Sequence, residues 1–161
     1  YNKNSFSVDV MPVTFNATNL AKLSNGSAVN LERAMAANGR FGGHVVSGHI
    51  DGVGEIIACN RLENAIVYKI SLAPELANLC VAKGSIALDG TSLTLVEVGE
   101  DYLSVALIPH TQKMSLLGCK QIGDSVNIEC DILVKQMQKM YAKSENNSKI
   151  TSGFLLEHGF L

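Results

Sequence analysis

Residues 6–32 read FSVDVMPVTFNATNLAKLSNGSAVNLE, and residues 103–129 read LSVALIPHTQKMSLLGCKQIGDSVNIE. The two stretches align without a gap at an offset of 97 residues. Ser7/Ser104, Val8/Val105, Pro12/Pro109, Thr14/Thr111, Leu20/Leu117, Gly26/Gly123, Val29/Val126, Asn30/Asn127 and Glu32/Glu129 are identical pairs. Most other positions exchange apolar for apolar or polar for polar. Chance likeness between two hairpin-like segments does not hold Pro, Gly and Asn in register over such a length, so the chain reads as a tandem duplication. The period is too long for a solenoid unit and has the size of a small domain. The second copy then occupies residues 42–131, and residues 1–41 hold only the C-terminal part of the first. On the repeat length, the front of the first copy, roughly 55 residues, is expected to be missing. The opening YNKNSFSVDV has no Met start and no signal-peptide architecture, and reads as the last turn before a strand.

The complete copy is rich in strand signals. IDGVGEIIAC (50–59) alternates briefly between glycines, and AIVYKISL (65–72) alternates well. PELANLCV (74–81) places Pro at a helix start with helical apolar spacing. GSIALDG (84–90) and SLTLVEV (92–98) are strands joined at Asp89-Gly90, a tight-turn pair. YLSVALI (102–108) is a strand stopped by Pro109, HTQKMSLLG (110–118) is a turn or two of helix, and SVNIEC (125–130) is a last strand. About six short strands leave two exposed edges unless the sheet closes, and the glycines at 42, 43, 48, 52 and 54 suit tight barrel corners. The predicted fold is mainly β: tandem six-stranded Greek-key β-barrels, the first one truncated, followed by a C-terminal helix. ILVKQMQKMYAK (132–143) supplies that amphipathic helix, its stripe facing its own module or a partner subunit. SENNSK (144–149) is a polar linker, and ITSGFLLEHGFL (150–161) adds a short terminal helix.

Composition narrows the function classes. Apolar residues make up 47% and charged residues 17% of the 161, enough apolar material for a buried core. The formal charge of −2, with Lys113, Lys120, Lys135, Lys139 and Lys143 scattered, offers no polyanion track, so no nucleic-acid partner is expected. No apolar run approaches the ~20 residues of a membrane span, so no membrane partner is expected either. Cys59, Cys80, Cys119 and Cys130 form no C-x-x-C pair and read as buried free thiols in a reducing, cytoplasmic compartment.

Four stretches carry candidate chemistry. In GGHVVSGHIDGVGE (42–55), His44 and His49 stand five apart, on opposite faces if the segment is a regular strand, and no third ligand has a zinc spacing, so no metal is expected. Gly52-x-Gly54 lacks the third glycine of a dinucleotide fingerprint. In KGSIALDGTSLTL (83–95), Ser92 and Thr94 share one strand face and can hydrogen-bond a polar ring or a sugar chain. Composition alone favours the plainer account, with Asp89 as turn chemistry and Thr94 as a strand former. ALIPHT (106–111) and its counterpart DVMPVT (9–14) each end a strand at a proline, leaving backbone groups for a ligand edge. No triad order, P-loop or paired-carboxylate pattern is present.

VDVMP, NLERA, GGHVVSGHIDGVGE, KGSIALDGTSLTL, LIPHT and GDSVNIE occur in the order seen in riboflavin synthases, and over residues 5–143 the chain closely resembles that family. The resemblance implies two homologous lumazine-binding barrels and a C-terminal trimerisation helix, hence a homotrimer. It implies conversion of two 6,7-dimethyl-8-ribityllumazine molecules into riboflavin and 5-amino-6-(ribitylamino)uracil, the last step of riboflavin biosynthesis. A four-carbon unit passes between the two, with no metal or organic cofactor. It places substrate contacts in the second barrel at Gly48, His49, Ile50, Lys83, Ser92, Leu93, Thr94, Ala106, Leu107, Ile108, Pro109, His110 and Thr111. In the first barrel it places them at Asp9, Val10, Met11, Pro12, Val13 and Thr14. Catalytic roles fall to His49, Ser92 and Asp89: His49 as a base for the acidic C7 methyl of the substrate, Ser92 at the ring heteroatoms, Asp89 beside the site. The family's T-G-I-V opening and first-copy C-L-T strand are absent, Val13 stands where Glu is usual, and Phe15 where Leu or Val is usual. The first-barrel site is therefore expected to be incomplete and the chain alone poorly active. The competing readings are a non-catalytic lumazine- or flavin-binding antenna protein and a barrel used only for oligomerisation; retention of His49, Ser92, Thr94 and Pro109-His110-Thr111 favours the enzyme.

Overall fold

A computed structural model describes residues 2–145 and 152–159. Six antiparallel strands close into a barrel: β1 (Gly52–Leu62), β2 (Ala65–Ser71), β3 (Ser85–Leu88), β4 (Thr91–Val98), β5 (Tyr102–Leu107) and β6 (Ser125–Cys130), in the spatial order β1-β2-β5-β4-β3-β6. The jump from β2 to β5 and back through β4 and β3 is the predicted Greek-key winding, and closure gives every strand a neighbour on both sides.

Alternation sets the two faces. Ile56, Ile66, Tyr68, Ile70, Ile86, Leu88, Leu93, Leu95, Leu103, Val105, Leu107, Val126, Ile128 and Cys130 point inward and form the core. Leu117, 1% exposed, closes one end of the barrel, and the buried Tyr68 hydroxyl bonds the carbonyls of Leu117 (2.8 Å) and Lys120 (2.9 Å) there. Asp89 (φ 45°) and Gly90 (φ 79°) turn β3 into β4, both in the left-handed region a two-residue hairpin needs. Register shifts at Ile57 and Val96 bend β1 and β4 around the barrel.

The helical parts of the duplication are reproduced in three dimensions. α1 (Pro12–Ala17) corresponds residue for residue to α3 (Pro109–Met114), and the 3-10 turn Asn19–Lys22 to Leu116–Cys119. Thr18 caps the first turn by accepting from Leu20 N, as Ser115 does from Leu117 N. Gly26 and Gly123 share a left-handed φ of 89° and 91°.

The strands of the first copy are not reproduced. Residues 5–11 and 28–33, counterparts of β5 and β6, have no ladder among the described residues, and residues 2–51 contain no strand. β5 and β6 are held by β2, β4, β1 and β3; the first-copy segments have no such neighbours, and Phe6, Val8 and Val10 are exposed. The strand expected to end at Pro12 is thus extended chain entering a helix. The segment 43–51 also forms no strand, so the expected opposition of His44 and His49 across a sheet does not apply.

Of the remaining elements, α2 (Pro74–Ala77) is shorter than the predicted helix over 74–81. The C-terminal helix is α4 (Ile132–Glu145), and α5 (Ser152–Glu157) follows; the linker over 144–149 falls mostly outside the described residues. Leu133, Met137, Met140 and Tyr141 stay exposed, so most of the α4 stripe is not packed on its own barrel. The cysteines are free, but only Cys130 is buried; Cys59 and Cys80 are half-buried and Cys119 is exposed, against the expectation of four buried thiols. No helix among the described residues is long and apolar enough to cross a membrane.

Candidate functional site

Three outward positions form a row across the barrel wall. Ser92 on β4 pairs with Ala87 on β3, and Ala87 pairs with Glu129 on β6. Outward residues of a small barrel normally meet water, yet Ala87 is 1% and Glu129 2% exposed. The strap 43–48 covers them. Gly43 lies so close to Ser92 that a Cβ would overlap its hydroxyl. The His44 ring sits on Ser92, with Nδ1 2.8 Å from Oγ, and the His44 backbone N–H donates to the same oxygen at 3.3 Å. Its Nε2 is buried with no partner among the described residues.

At the other end of the row, the Glu129 carboxylate accepts from Ser47 N (2.6 Å), Ser47 Oγ (2.8 Å) and Gly48 N (2.9 Å). Three donors compensate its burial, which without them would cost several kcal/mol. His49 follows, exposed, with Nδ1 3.1 Å from Ser47 Oγ. Ile50 is half-buried, and Asp51 ties the strap down: its carboxylate accepts from Cys130 N at 2.8 Å and pairs with Lys135 of α4 at 2.8 Å.

Beside this row the barrel wall opens. The β4–β5 ladder runs from Val98↔Leu103 to Leu95↔Val105 and stops, although both strands continue. Thr91 to Thr94 pair with β3 alone, and Ala106 and Leu107 with β2 alone. Continuing the antiparallel count would bring Thr94 opposite Ala106 and Ser92 opposite Ile108. The Leu107 carbonyl is instead taken by the Gln112 side chain at 2.8 Å. Thr94, Ala106, Ile108, Pro109 and His110 are exposed here, and Thr111 is half-buried. The opening therefore presents backbone edges, two hydroxyls and one imidazole.

The predicted residues divide accordingly. Gly48, His49, Ser92, Thr94, Ala106, Ile108, Pro109, His110 and Thr111 lie on the strap or along the open edge. Leu93 (8% exposed) and Leu107 (0%) send their side chains into the core, leaving only their backbones for a ligand. Lys83 holds φ 66°, unusual for a non-glycine residue, and its N–H donates to Leu95 O just where the β4–β5 ladder ends. Asp9, Val10, Met11, Pro12, Val13 and Thr14 are exposed at the entry to α1.

Asp89 has another occupation. Its Oδ1 accepts from Asn127 N (2.8 Å) and Asn19 Nδ2 (3.2 Å), its Oδ2 pairs with Lys120 Nζ (3.1 Å), and its carbonyl accepts from Asn30 Nδ2 (2.9 Å). A carboxylate so engaged ties the two copies together.

Gly43, His44, Ser47 and Glu129 were missed as site-forming residues. For Glu129 a signal existed: a charged residue at an outward position between Ile128 and Cys130, repeated as Glu32. Two clefts lie away from the open edge, one of about 390 Å³ around Lys22, Glu55, Leu72 and Asp101 and one of about 260 Å³ around Leu23, Val29, Leu116 and the predicted site residue Asp89. Among the described residues no group of three or more His, Cys, Asp or Glu is placed to hold a metal.

A six-stranded closed barrel of this winding, with a helical turn repeated from a preceding copy, defines a lumazine-binding-type module. Residues 1–34 and 47–131 match the lumazine binding domain family. The riboflavin synthase of Bacillus subtilis (strain 168) is 50% identical over 163 residues, covering 99% of this chain and 76% of that protein. That of Actinobacillus pleuropneumoniae is 46% identical with the same coverage, and that of Saccharomyces cerevisiae is 40% identical over 86% of this chain and 60% of its own length. Among solved structures, LumP complexed with riboflavin superposes with a TM-score of 0.66 at 24% identity, over 72% of this chain and 63% of that one, a likeness of fold. The chain belongs to the riboflavin synthase family.

Proposed function

We propose that the chain is the part of a riboflavin synthase that binds one 6,7-dimethyl-8-ribityllumazine at the open β4–β5 edge. There it presents the substrate to a second, identical molecule held by a neighbouring barrel. The observation that carries this reading is the end of the β4–β5 ladder at Leu95↔Val105, which leaves Ser92 and Thr94 unpaired toward β5.

In this reading, backbone groups from Ala106 to Thr111 hold the pyrimidinedione edge, and Ser92 and Thr94 bond ring heteroatoms. His49 takes a proton from the C7 methyl. The resulting carbanion adds to the second pteridine, and one molecule gives up its four-carbon unit to the other, which becomes riboflavin while the donor leaves as 5-amino-6-(ribitylamino)uracil, a transferase reaction. Stacking two substrates supplies proximity, about 7–11 kcal/mol at best. Asp89 positions the hairpin that carries Ser92. The contact line Asp9 to Thr14 is the first-copy equivalent and faces a partner barrel. The exposed α4 stripe gives a homotrimer contact, and the setting is cytoplasmic. The division into 1–41, 42–131 and 132–161 follows: partial first barrel, complete second barrel, assembly helix and tail. Residues 1–161 by themselves turn substrate over slowly, since one barrel closes among the described residues.

The test is methyl-proton exchange of 6,7-dimethyl-8-ribityllumazine in D2O. The chain accelerates exchange, and His49→Ala and Ser92→Ala each slow it by about tenfold or more. Unchanged rates in both variants defeat the assignment. A stable fluorescent complex with no accelerated exchange identifies a binder instead.

A further inference from the structure

The bonds around Glu129 dictate the direction of a proton chain. An ionised carboxylate only accepts, so the Ser47 hydroxyl donates its single hydrogen to Glu129 Oε1, 2.8 Å away. That hydrogen is then unavailable to His49, whose Nδ1 lies 3.1 Å from the same oxygen. The contact is a hydrogen bond only if His49 Nδ1 carries the proton and Ser47 accepts. Neutral His49 is then protonated at Nδ1 and bare at Nε2.

We propose that Ser47 and Glu129 are positioning residues that hold His49 as its Nδ1–H tautomer, leaving Nε2 of this exposed ring as the proton acceptor. This rests on the reading of His49 as the base and extends it by two residues that do not touch the substrate. The strap serves the same end. Glu129 also takes Ser47 N and Gly48 N, so one buried carboxylate fixes both the backbone that carries His49 and the hydroxyl that orients its ring. The arrangement follows the general rule that the group on one ring nitrogen decides what the other can do.

Long-range ¹⁵N–¹H spectra of the chain, recorded where His49 is neutral, read the tautomer directly. The expected result is Nδ1–H in the wild type, a shift toward the Nε2–H form usual of free histidine in Ser47→Ala, and restoration in Ser47→Thr. Ser47→Ala keeps both backbone bonds to Glu129, so the strap stays seated. Nε2–H in the wild type, or an unchanged tautomer in Ser47→Ala, overturns the proposal. Methyl exchange on bound 6,7-dimethyl-8-ribityllumazine is the second readout. Ser47→Ala is expected to slow exchange severalfold with lumazine affinity unchanged and to recover in Ser47→Thr. If the tautomer responds as stated but His49→Ala leaves exchange untouched, the relay stands and the base role in the proposed function falls.

Discussion

Asn30 and Asn127, equivalent residues of the two copies, exchange hydrogen bonds reciprocally. Asn127 Oδ1 accepts from Asn19 N at 2.7 Å, and Asn30 Oδ1 accepts from Leu116 N at 2.9 Å; Asn19 and Leu116 are themselves equivalent. Each copy's asparagine thus caps the first residue of the other copy's 3-10 turn. The two equivalent segments meet through these reciprocal bonds, which hold Asn19 and Asn30 against the complete barrel.

The exchange predicts coupled energetics. Asn127→Ala and Asn30→Ala each leave a backbone N–H without its partner and are expected to cost about 1–3 kcal/mol in urea unfolding. The double variant is expected to cost less than the sum by more than about 0.5 kcal/mol, because both bonds belong to one contact. Strict additivity would show that the two ends are independent.

Asp89 is expected to behave as a structural residue. Asp89→Ala removes the Lys120 pair and two Oδ1 bonds and leaves a non-glycine residue at φ 45°. A loss on the order of 3 kcal/mol is expected, with lumazine affinity per folded molecule, measured by fluorescence titration, unchanged. A loss of affinity at full folding would return Asp89 to the site.

Gly43 tests the strap. Gly43→Ala has no room against Ser92 and must lift His44 away. Lumazine affinity is expected to fall about tenfold, the equivalent of ~1.4 kcal/mol, with the thermal midpoint of the barrel little changed. Equal affinity would show that the strap does not shape the site.

Tyr68 sets a pH limit. Burial first, and the nearby Cys59 second, raise its pKa above 10.0. The folded protein therefore keeps the phenol proton at pH values where the unfolded chain has lost it. This contribution is fully present below pH 10 and is lost as pH rises through the folded value. Unfolding measured from pH 9 to 11 is expected to show a steeper loss of stability in the wild type than in Tyr68→Phe; matching slopes would contradict it.

Much of the fold was legible because it is local. Asp89-Gly90 announced a hairpin, Pro74 and Pro109 announced helix starts, and alternation over 65–72 announced a half-buried strand. The duplication was legible through Pro, Gly and Asn in register. Failures came where structure depends on neighbours distant in sequence. Residues 5–11 have the pattern of β5 but no strand to pair with, and residues 43–51 look strand-like yet are shaped by Glu129, Ser92 and Asp51's partners elsewhere in the chain. In the site, Ser92, Thr94 and His49 were legible as residue types. The end of the β4–β5 ladder, the seat of His44 on Ser92 and the burial of Glu129 were not, since each arises from register and packing rather than spacing. The partners of Asp89 were illegible for the same reason: its carboxylate is engaged by Asn19, Lys120 and the backbone of Asn127.

The proposed function seats the pteridine at the open β4–β5 edge. Amide chemical-shift mapping of the chain titrated with 6,7-dimethyl-8-ribityllumazine tests it most directly. The largest perturbations are expected on Gly48, His49, Lys83, Ser92 to Thr94 and Ala106 to Thr111. Perturbations centred instead on the cleft around Lys22, Glu55 and Leu72, or on the one around Leu23, Val29 and Leu116, would contradict it.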